Sequence, residues 1–318
     1  MTGLAFIFPG QGSQEIGMGK ALADAFPAAR AVFAEVDDAL GQNLSKLMWD
    51  GDIAELTLTA NTQPALMAHS VAAMRALEAA SGLSAANARF VAGHSLGEYS
   101  ALASAGAISL ADTARLLRIR GNAMQGAVPA GEGAMAALLG ADVAQAEAAC
   151  AAGRATGGVC EIANDNAPGQ LVLSGSKAAI DAACEHAKAN GVKKAMALNV
   201  SAPFHCSLMQ PAADAMAEAL SGVTISAPVV PVVANISAAP TSDPDTIRQN
   251  LVDQVTGRVR WTESVQFMVG QGVTSTAEAG AGKVLTVMQR RIEKSLNGFT
   301  LGTPEDIEAF AAVILQET

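Results

Sequence analysis

The sequence predicts an α/β fold, in which a parallel sheet flanked by helices is interrupted by a smaller inserted unit of ferredoxin-like order. Short apolar runs at Leu4–Phe8 and Arg89–Gly93 each lead into a glycine-containing turn and then into helix-period patterning. That alternation is what a parallel sheet with crossover helices requires. Between 129 and 199 the order changes to strand, helix, strand, strand, helix, strand, a βαββαβ unit of about seventy residues. Composition agrees: of 318 residues half are hydrophobic and 16% charged, which supplies a core and excludes a disordered chain.

Leu4–Phe8 ends in Pro9-Gly10-Gln11-Gly12, a buried strand running into a tight loop. Helical patterns follow at 17–26, 28–40 and 62–80, and after the second strand a helical stretch breaks near Gly106 and resumes from Leu110 to about Val128. In the middle unit, Ala134–Leu139 reads as a strand and 142–152 as a helix. Val159–Ala163 and Leu171–Ser174 read as a strand pair around a turn at Asn164–Gly169. A helix at 176–189 and a strand at Val192–Leu198 complete it. The expected division is therefore 1–128 with 200–318 as the large subdomain and 129–199 as the small one. Beyond it lie a helix near 207–220, a β-prone run at Val229–Ala234, a helix at 244–256 and a last strand at Phe299–Leu301. Thr303-Pro304-Glu305-Asp306 has the cap, proline and acids that open a helix.

Thirty acidic against twenty basic side chains give a net charge of -10 and a pI near 4.9, which offers no general attraction for nucleic acid. No apolar run approaches the roughly 18 residues of a spanning helix, and the start, Met1 to Pro9, has no basic region before its apolar run, unlike a signal peptide. Cys150, Cys160, Cys184 and Cys206 lack the paired spacing of a zinc site and read as reduced thiols. A cytoplasmic protein without a bound metal is expected.

The motif with the clearest chemistry is Gly93-His94-Ser95-Leu96-Gly97 between a strand and a helix. A nucleophilic serine must project from a sharp turn, and flanking glycines let backbone crowd that turn. The helix that follows aims free N–H groups at developing negative charge. A glycine-rich turn with an incidental serine is the bland alternative. Of four histidines, His69 and His186 sit in helical patterns, and His94 adjoins the serine and should point elsewhere. His205, in the loop Ser201–Cys206 where the chain returns from the inserted unit, is left as the base. Gly10-Gln11-Gly12 fails as a dinucleotide loop because the third glycine position falls on Glu15. It can instead offer a backbone N–H to an oxyanion. Arg115, Arg118 and Arg120 share a helix. Arg115 and Arg118 read as a solvated basic face, although an arginine near such a serine would bind a carboxylate bidentately.

These residues, with Phe8–Gln14, Gly93–Tyr99, Arg120-Gly121, Met124-Gln125, Gly133–Met135, Ile162–Asn164, Ser174-Gly175, Pro203–His205 and Asn250–Val255 in the same order, resemble the malonyl-CoA:acyl-carrier-protein transacylases along essentially the whole chain. The resemblance implies an α/β-hydrolase-like large subdomain carrying a ferredoxin-like insertion. It implies an acyltransferase that moves malonyl from malonyl-CoA to the phosphopantetheine thiol of acyl carrier protein. Ser95 would be the nucleophile and His205 the general base, with the N–H groups of Gln11 and Leu96 as the oxyanion hole. Arg120 would bind the malonyl carboxylate and Gln254 orient the site, with His94, Asn164 and Phe204 also lining it. No triad acid is expected, since a backbone carbonyl takes that place in the family. Phe204 would crowd an α-methyl group and so favour malonyl over methylmalonyl. No cofactor is implied, and the partners are malonyl-CoA and the carrier protein, bound by a monomer. The pattern Glu278-Ala279-Gly280-Ala281-Gly282 departs from the family's Gly-Pro-Gly, which should loosen that turn.

Two other readings compete. An α/β-hydrolase esterase or thioesterase shares the serine motif but calls for an acid between Ser95 and a histidine near the C-terminus, and none follows His205. A non-catalytic carrier-binding module would need neither Ser95 nor His205. A free-standing chain of this length suits the dissociated fatty-acid system. An acidic carrier meets a chain of the same sign, so local cations are required; Lys188, Lys193 and Lys194, with Arg115 and Arg118, are the candidates.

Overall fold

A computed structural model describes residues 3–200 and 202–316; Met1, Thr2, Ser201 and residues 317–318, with the reading of the extreme N-terminus, lie outside the described residues. The chain begins with β1 (Leu4–Phe8), followed by α1 (Lys20–Ala25), α2 (Pro27–Leu40), α3 (Leu44–Asp50), α4 (Ile53–Thr57) and α5 (Thr59–Ser81). Next come β2 (Phe90–Gly93), α6 (Gly97–Ser104) and α7 (Leu110–Gly126). Every residue of β1 and β2 is buried, because both faces are covered. Leu4, Phe6 and Phe8 enter one core cluster, and Ala5 and Ile7 another that includes Trp261, Val265 and Met268. A strand buried on two sides reads as an unbroken apolar run.

The inserted unit comprises β3 (Gly133–Leu139), α8 (Val143–Arg154), β4 (Cys160–Ala167), β5 (Gln170–Ser176), α9 (Lys177–Ala189) and β6 (Lys194–Ala197). Its antiparallel sheet has the order β4-β5-β3-β6, the ferredoxin-like arrangement, with its own apolar core. The expected turn at Asn164–Gly169 is corrected here: β4 runs on to Ala167, with register shifts at Ile162/Asn164 and Asp165/Ala167. Polar residues stay extended there because the backbone finds a second partner in the large subdomain. Val259 N–H donates to Ala163 O (2.8 Å), and Asp165 N–H donates to Val259 O (2.9 Å). Thr262 Oγ1 donates to the Asp165 carboxylate at 2.6 Å. The small subdomain is thereby joined to the large one by strand-like pairing beside the cleft.

The chain returns through α10 (Gln210–Ser221), β7 (Val232–Val233), β8 (Pro240–Thr241), α11 (Pro244–Thr256), α12 (Trp261–Gly270), β9 (Ser275–Glu278), α13 (Val284–Ile292), β10 (Asn297–Thr300) and α14 (Pro304–Gln316). The large sheet has the order β10-β9-β1-β2-β7-β8, parallel except for the β7–β8 pair. The strand β9 gives no clear signal in sequence because it reads Ser-Thr-Ala-Glu, yet its last three residues are buried. Its acid is satisfied: Glu278 accepts the N–H groups of Leu285 (3.0 Å) and Thr286 (2.7 Å) in the first turn of α13, a carboxylate on the positive end of a helix. Among the described residues no helix is long and apolar enough to cross a membrane.

Candidate active site

The turn after β2 carries Ser95 at φ 55°, a left-handed conformation unusual for a residue with a side chain. The glycines on either side are there because nothing else fits. A Cβ on Gly93 would lie 1.9 Å from the carbonyl of Gly97, and one on Gly97 would lie 2.2 Å from Phe8 O. The sharp turn lifts the Ser95 hydroxyl to the floor of a cleft of about 210 Å³ between the two subdomains. Gly12 N–H is taken by Gln14 Oε1 (2.8 Å) and Ser95 N–H by Asn235 Oδ1 (2.7 Å). The N–H groups of Gln11 and Leu96 meet no acceptor among the described residues, and both residues line the cleft.

His205 also has a left-handed backbone, φ 58°, which turns its ring inward. Its Nε2 lies 2.8 Å from Ser95 Oγ and its Nδ1 2.8 Å from Gln254 O. A carbonyl can only accept, so Nδ1 carries the proton and Nε2 is free to take one from the serine. Burial, then the charge of Arg120, pushes the imidazole down to about 3. Arg120 on α7 is 1% exposed. Its Nη1 donates to Gln63 Oε1 (2.7 Å), and its Nη2 to Gln254 Oε1 (2.8 Å) and Ser95 Oγ (3.1 Å). The ring of Tyr99 lies 5.7 Å from the guanidinium carbon. No carboxylate pairs with this cation among the described residues, and its Nε has no partner there. A buried guanidinium without an ion-pair partner beside a serine–histidine pair has the chemistry to bind a carboxylate.

His94, Asn164 and Phe204 all line the same cleft. His94 is not turned away from it, as adjacency to Ser95 suggests, but is held by Asn166 Oδ1 at 2.8 Å from its Nε2. Arg118 is likewise not free on a basic face: half-buried, it donates to Asn61 Oδ1 at 2.7 Å and to Gln42. Arg115 is exposed and pairs with Asp112. Four residues of the site escape sequence reasoning: Gln63, Glu98, Asn166 and Asn235. Glu98 follows the serine motif by one position and is 1% exposed. Its carboxyl is pushed up to about 7 by burial, opposed by its bonds to Asn235 N–H and Gln254 and by the Arg120 charge. The others come from α5, β4 and the end of β7, and only tertiary folding brings them to Ser95.

A serine on a strained turn, a histidine held by a carbonyl and free N–H groups on an α/β sheet are the parts an acyl-transfer site requires. Residues 5–298 match the family model for the acyl transferase domain, and the chain belongs to that family. The malonyl CoA-acyl carrier protein transacylase of Escherichia coli (strain K12) is 46% identical over 309 residues, 97% of this chain and 99% of its own. The acyl-carrier-protein S-malonyltransferase of Bartonella henselae superposes with a TM-score of 0.95 at 56% identity, covering 98% of this chain and 99% of that one. A malonyl-transacylase solved in complex with its type II PKS acyl-carrier protein superposes with a TM-score of 0.94 at 41% identity, covering 98% of this chain and 99% of that one.

Proposed function

We propose that the protein transfers malonyl from malonyl-CoA to the phosphopantetheine thiol of an acyl carrier protein by way of an ester on Ser95. The observation that carries this reading is the buried Arg120 guanidinium, without a carboxylate partner and 3.1 Å from Ser95 Oγ. In the first half-reaction His205 Nε2 takes the hydroxyl proton as Ser95 Oγ attacks the thioester carbonyl. The N–H groups of Gln11 and Leu96 receive the oxyanion. As the tetrahedral adduct collapses, the C–S bond breaks and His205 returns the proton to the departing CoA thiolate. In the second half-reaction His205 takes the proton of the carrier thiol, whose sulfur attacks the ester. Ser95 Oγ then leaves and is reprotonated. All of this is acid–base and nucleophilic chemistry of side chains, with no cofactor required. Water is disfavoured as the second acceptor by apolar lining from Met124, Met135, Val172, Leu198 and Leu285. Phe204 adds bulk where an α-methyl group would sit.

Carrier docking is assigned to α13. Its exposed Val284 and its Met288 line the cleft, so this helix forms part of the rim. Lys283, Arg290, Arg291 and Lys294 lie within the same twelve residues, against one acid, Glu293. An acidic carrier would meet cations and apolar side chains together at the entrance through which its pantetheine must pass.

Intact-mass and peptide mapping of protein mixed with malonyl-CoA tests the reading. A malonyl adduct is expected on Ser95, discharged by added phosphopantetheinylated carrier and absent from Ser95→Ala. No adduct would overturn the reading. An adduct that water discharges as fast as the carrier does would make the protein a thioesterase instead.

A further inference from the structure

Asn235 lies just beyond β7, 140 positions from the serine, and is 1% exposed. Its side chain spans the nucleophile turn with two hydrogen bonds. Oδ1 accepts Ser95 N–H at 2.7 Å, and Nδ2 donates to Gly93 O at 2.6 Å. The residue is itself anchored by its backbone, since Asn235 N–H donates to Glu98 Oε2 at 2.9 Å. The same oxygen accepts Gln254 Nε2 at 2.8 Å, and Gln254 Nε2 also lies 3.1 Å from Ser95 O. Both backbone polar groups of Ser95 are thus held by side-chain amides, and both residues rest on one buried carboxylate, Gln254 through its amide and Asn235 through its backbone N–H.

We propose that Asn235, anchored on Glu98, is the positioning residue of the nucleophile. A left-handed serine is a strained state that persists only where its surroundings over-determine it. Asn235 does this by tying Gly93 O and Ser95 N–H, the two ends of the strained turn, to one rigid amide. The same bond withdraws Ser95 N–H from the reaction, so the developing oxyanion is left to Leu96 and Gln11. Asn235 has no hydrogen bond to Ser95 Oγ or to His205 among the described residues, and its one further polar neighbour in the site is Gln254 Nε2, 3.4 Å from its Oδ1, so its effect falls first on where Ser95 Oγ stands. The inference rests on Ser95 being the nucleophile proposed above.

The test compares Asn235→Ala and Asn235→Asp with the unaltered protein. Two rates are read: single-turnover malonylation of Ser95 by malonyl-CoA, and inactivation by diisopropyl fluorophosphate, which reports serine reactivity without the malonyl site. Asn235→Ala should lower both on the order of 10²-fold, the scale of a displaced reacting atom. KM for malonyl-CoA should stay within about twofold and the acid limb of the pH profile should not move. Asn235→Asp keeps the acceptor for Ser95 N–H but loses the donor to Gly93 O, so it should fall between. Unchanged rates in folded Asn235→Ala, or a loss confined to KM, would overturn the proposal. If that variant does not fold, wild-type rates in Asn235→Asp overturn it. Failure of the unaltered protein to take malonyl on Ser95 would instead overturn the function proposed above, and the fluorophosphate rates would still decide the role of Asn235.

Discussion

Burial and the neighbouring Arg120 guanidinium both disfavour a second proton on His205, holding its pKa down to about 3 from 6.5. In the proposed mechanism the neutral imidazole takes the Ser95 proton, and that form is populated above the pKa, so the depression extends the working range of the base downward. The acid limb of kcat/KM, which reports the free enzyme, should therefore lie well below the 6.5 of an unperturbed imidazole. A malonyl carboxylate on Arg120 offsets the charge that faces His205, so the limb of kcat, which reports the loaded enzyme, should lie above that of kcat/KM. Glu98, pushed up to about 7, accepts both its N–H bonds through Oε2. That oxygen stays an acceptor whether or not Oε1 is protonated, so the titration of Glu98 should leave these limbs where they are. Arg120→Ala should raise the kcat/KM limb, close the gap and abolish preference for malonyl over acetyl, with acetyl transfer retained or increased. Rate profiles with malonyl-CoA and acetyl-CoA from about pH 3 to about pH 8, reaching from the lowered imidazole pKa to above the ordinary 6.5, check all three. Equal loss for the two acyl groups would count against the carboxylate role of Arg120.

The strand-turn-helix β2–α6 works only because its backbone segments touch. Gly97 admits Phe8 O from β1, and Gly93 admits Gly97, at separations no Cβ permits. Since backbone cannot yield as a side-chain tip does, Gly97→Ala should cost at least ~2 kcal/mol and lower the urea midpoint. Gly126→Ala is the control. It lies at the end of α7 with nothing within 4 Å of the new methyl, and should be neutral or stabilising by up to about 1 kcal/mol. Chemical denaturation of both variants separates crowding from propensity. The same turn explains what was legible beforehand. Gly93, Ser95 and Gly97 are local, so their spacing reads directly as a nucleophile turn. Asn235 holds that turn from 140 positions away, in a Val-Val-Ala-Asn stretch that reads only as a strand and its end. The strand β9 was obscured for a related reason, because its buried Glu278 is satisfied by a helix that begins six residues later. Asn164–Ala167 read as a turn because nothing in sequence shows Val259 waiting to pair with it.

At the scale of the whole molecule, the proposed function has a chain of net charge -10 receive an acidic carrier and a polyanionic CoA at one entrance. Like net charges repel within about 8–10 Å at physiological salt, so local sign at the cleft rim outweighs the total. The basic residues first singled out by sequence divide once folded. Arg115 is paired with Asp112, Arg118 is bound to Asn61 and Gln42, and Lys194 opens β6, four residues or ~13 Å of strand from cleft-lining Leu198. At α13, by contrast, Arg290 in the last turn of the helix and Lys294 two residues past its end are exposed and form no ion pair among the described residues, and they follow cleft-lining Val284 and Met288 along the chain. Arg290→Glu with Lys294→Glu should therefore raise KM for the carrier about tenfold, two rim charges at up to ~1 kcal/mol each. The penalty should shrink as salt is raised. The first half-reaction, followed alone as malonylation of Ser95, should change less, because CoA is a smaller body than the carrier and meets fewer of these charges. Lys193→Glu with Lys194→Glu, made in parallel, should raise the carrier KM less than the α13 pair. The opposite ranking would move the docking surface from α13 to the edge of the small subdomain, and equal, salt-independent effects would remove charge from the account of docking altogether.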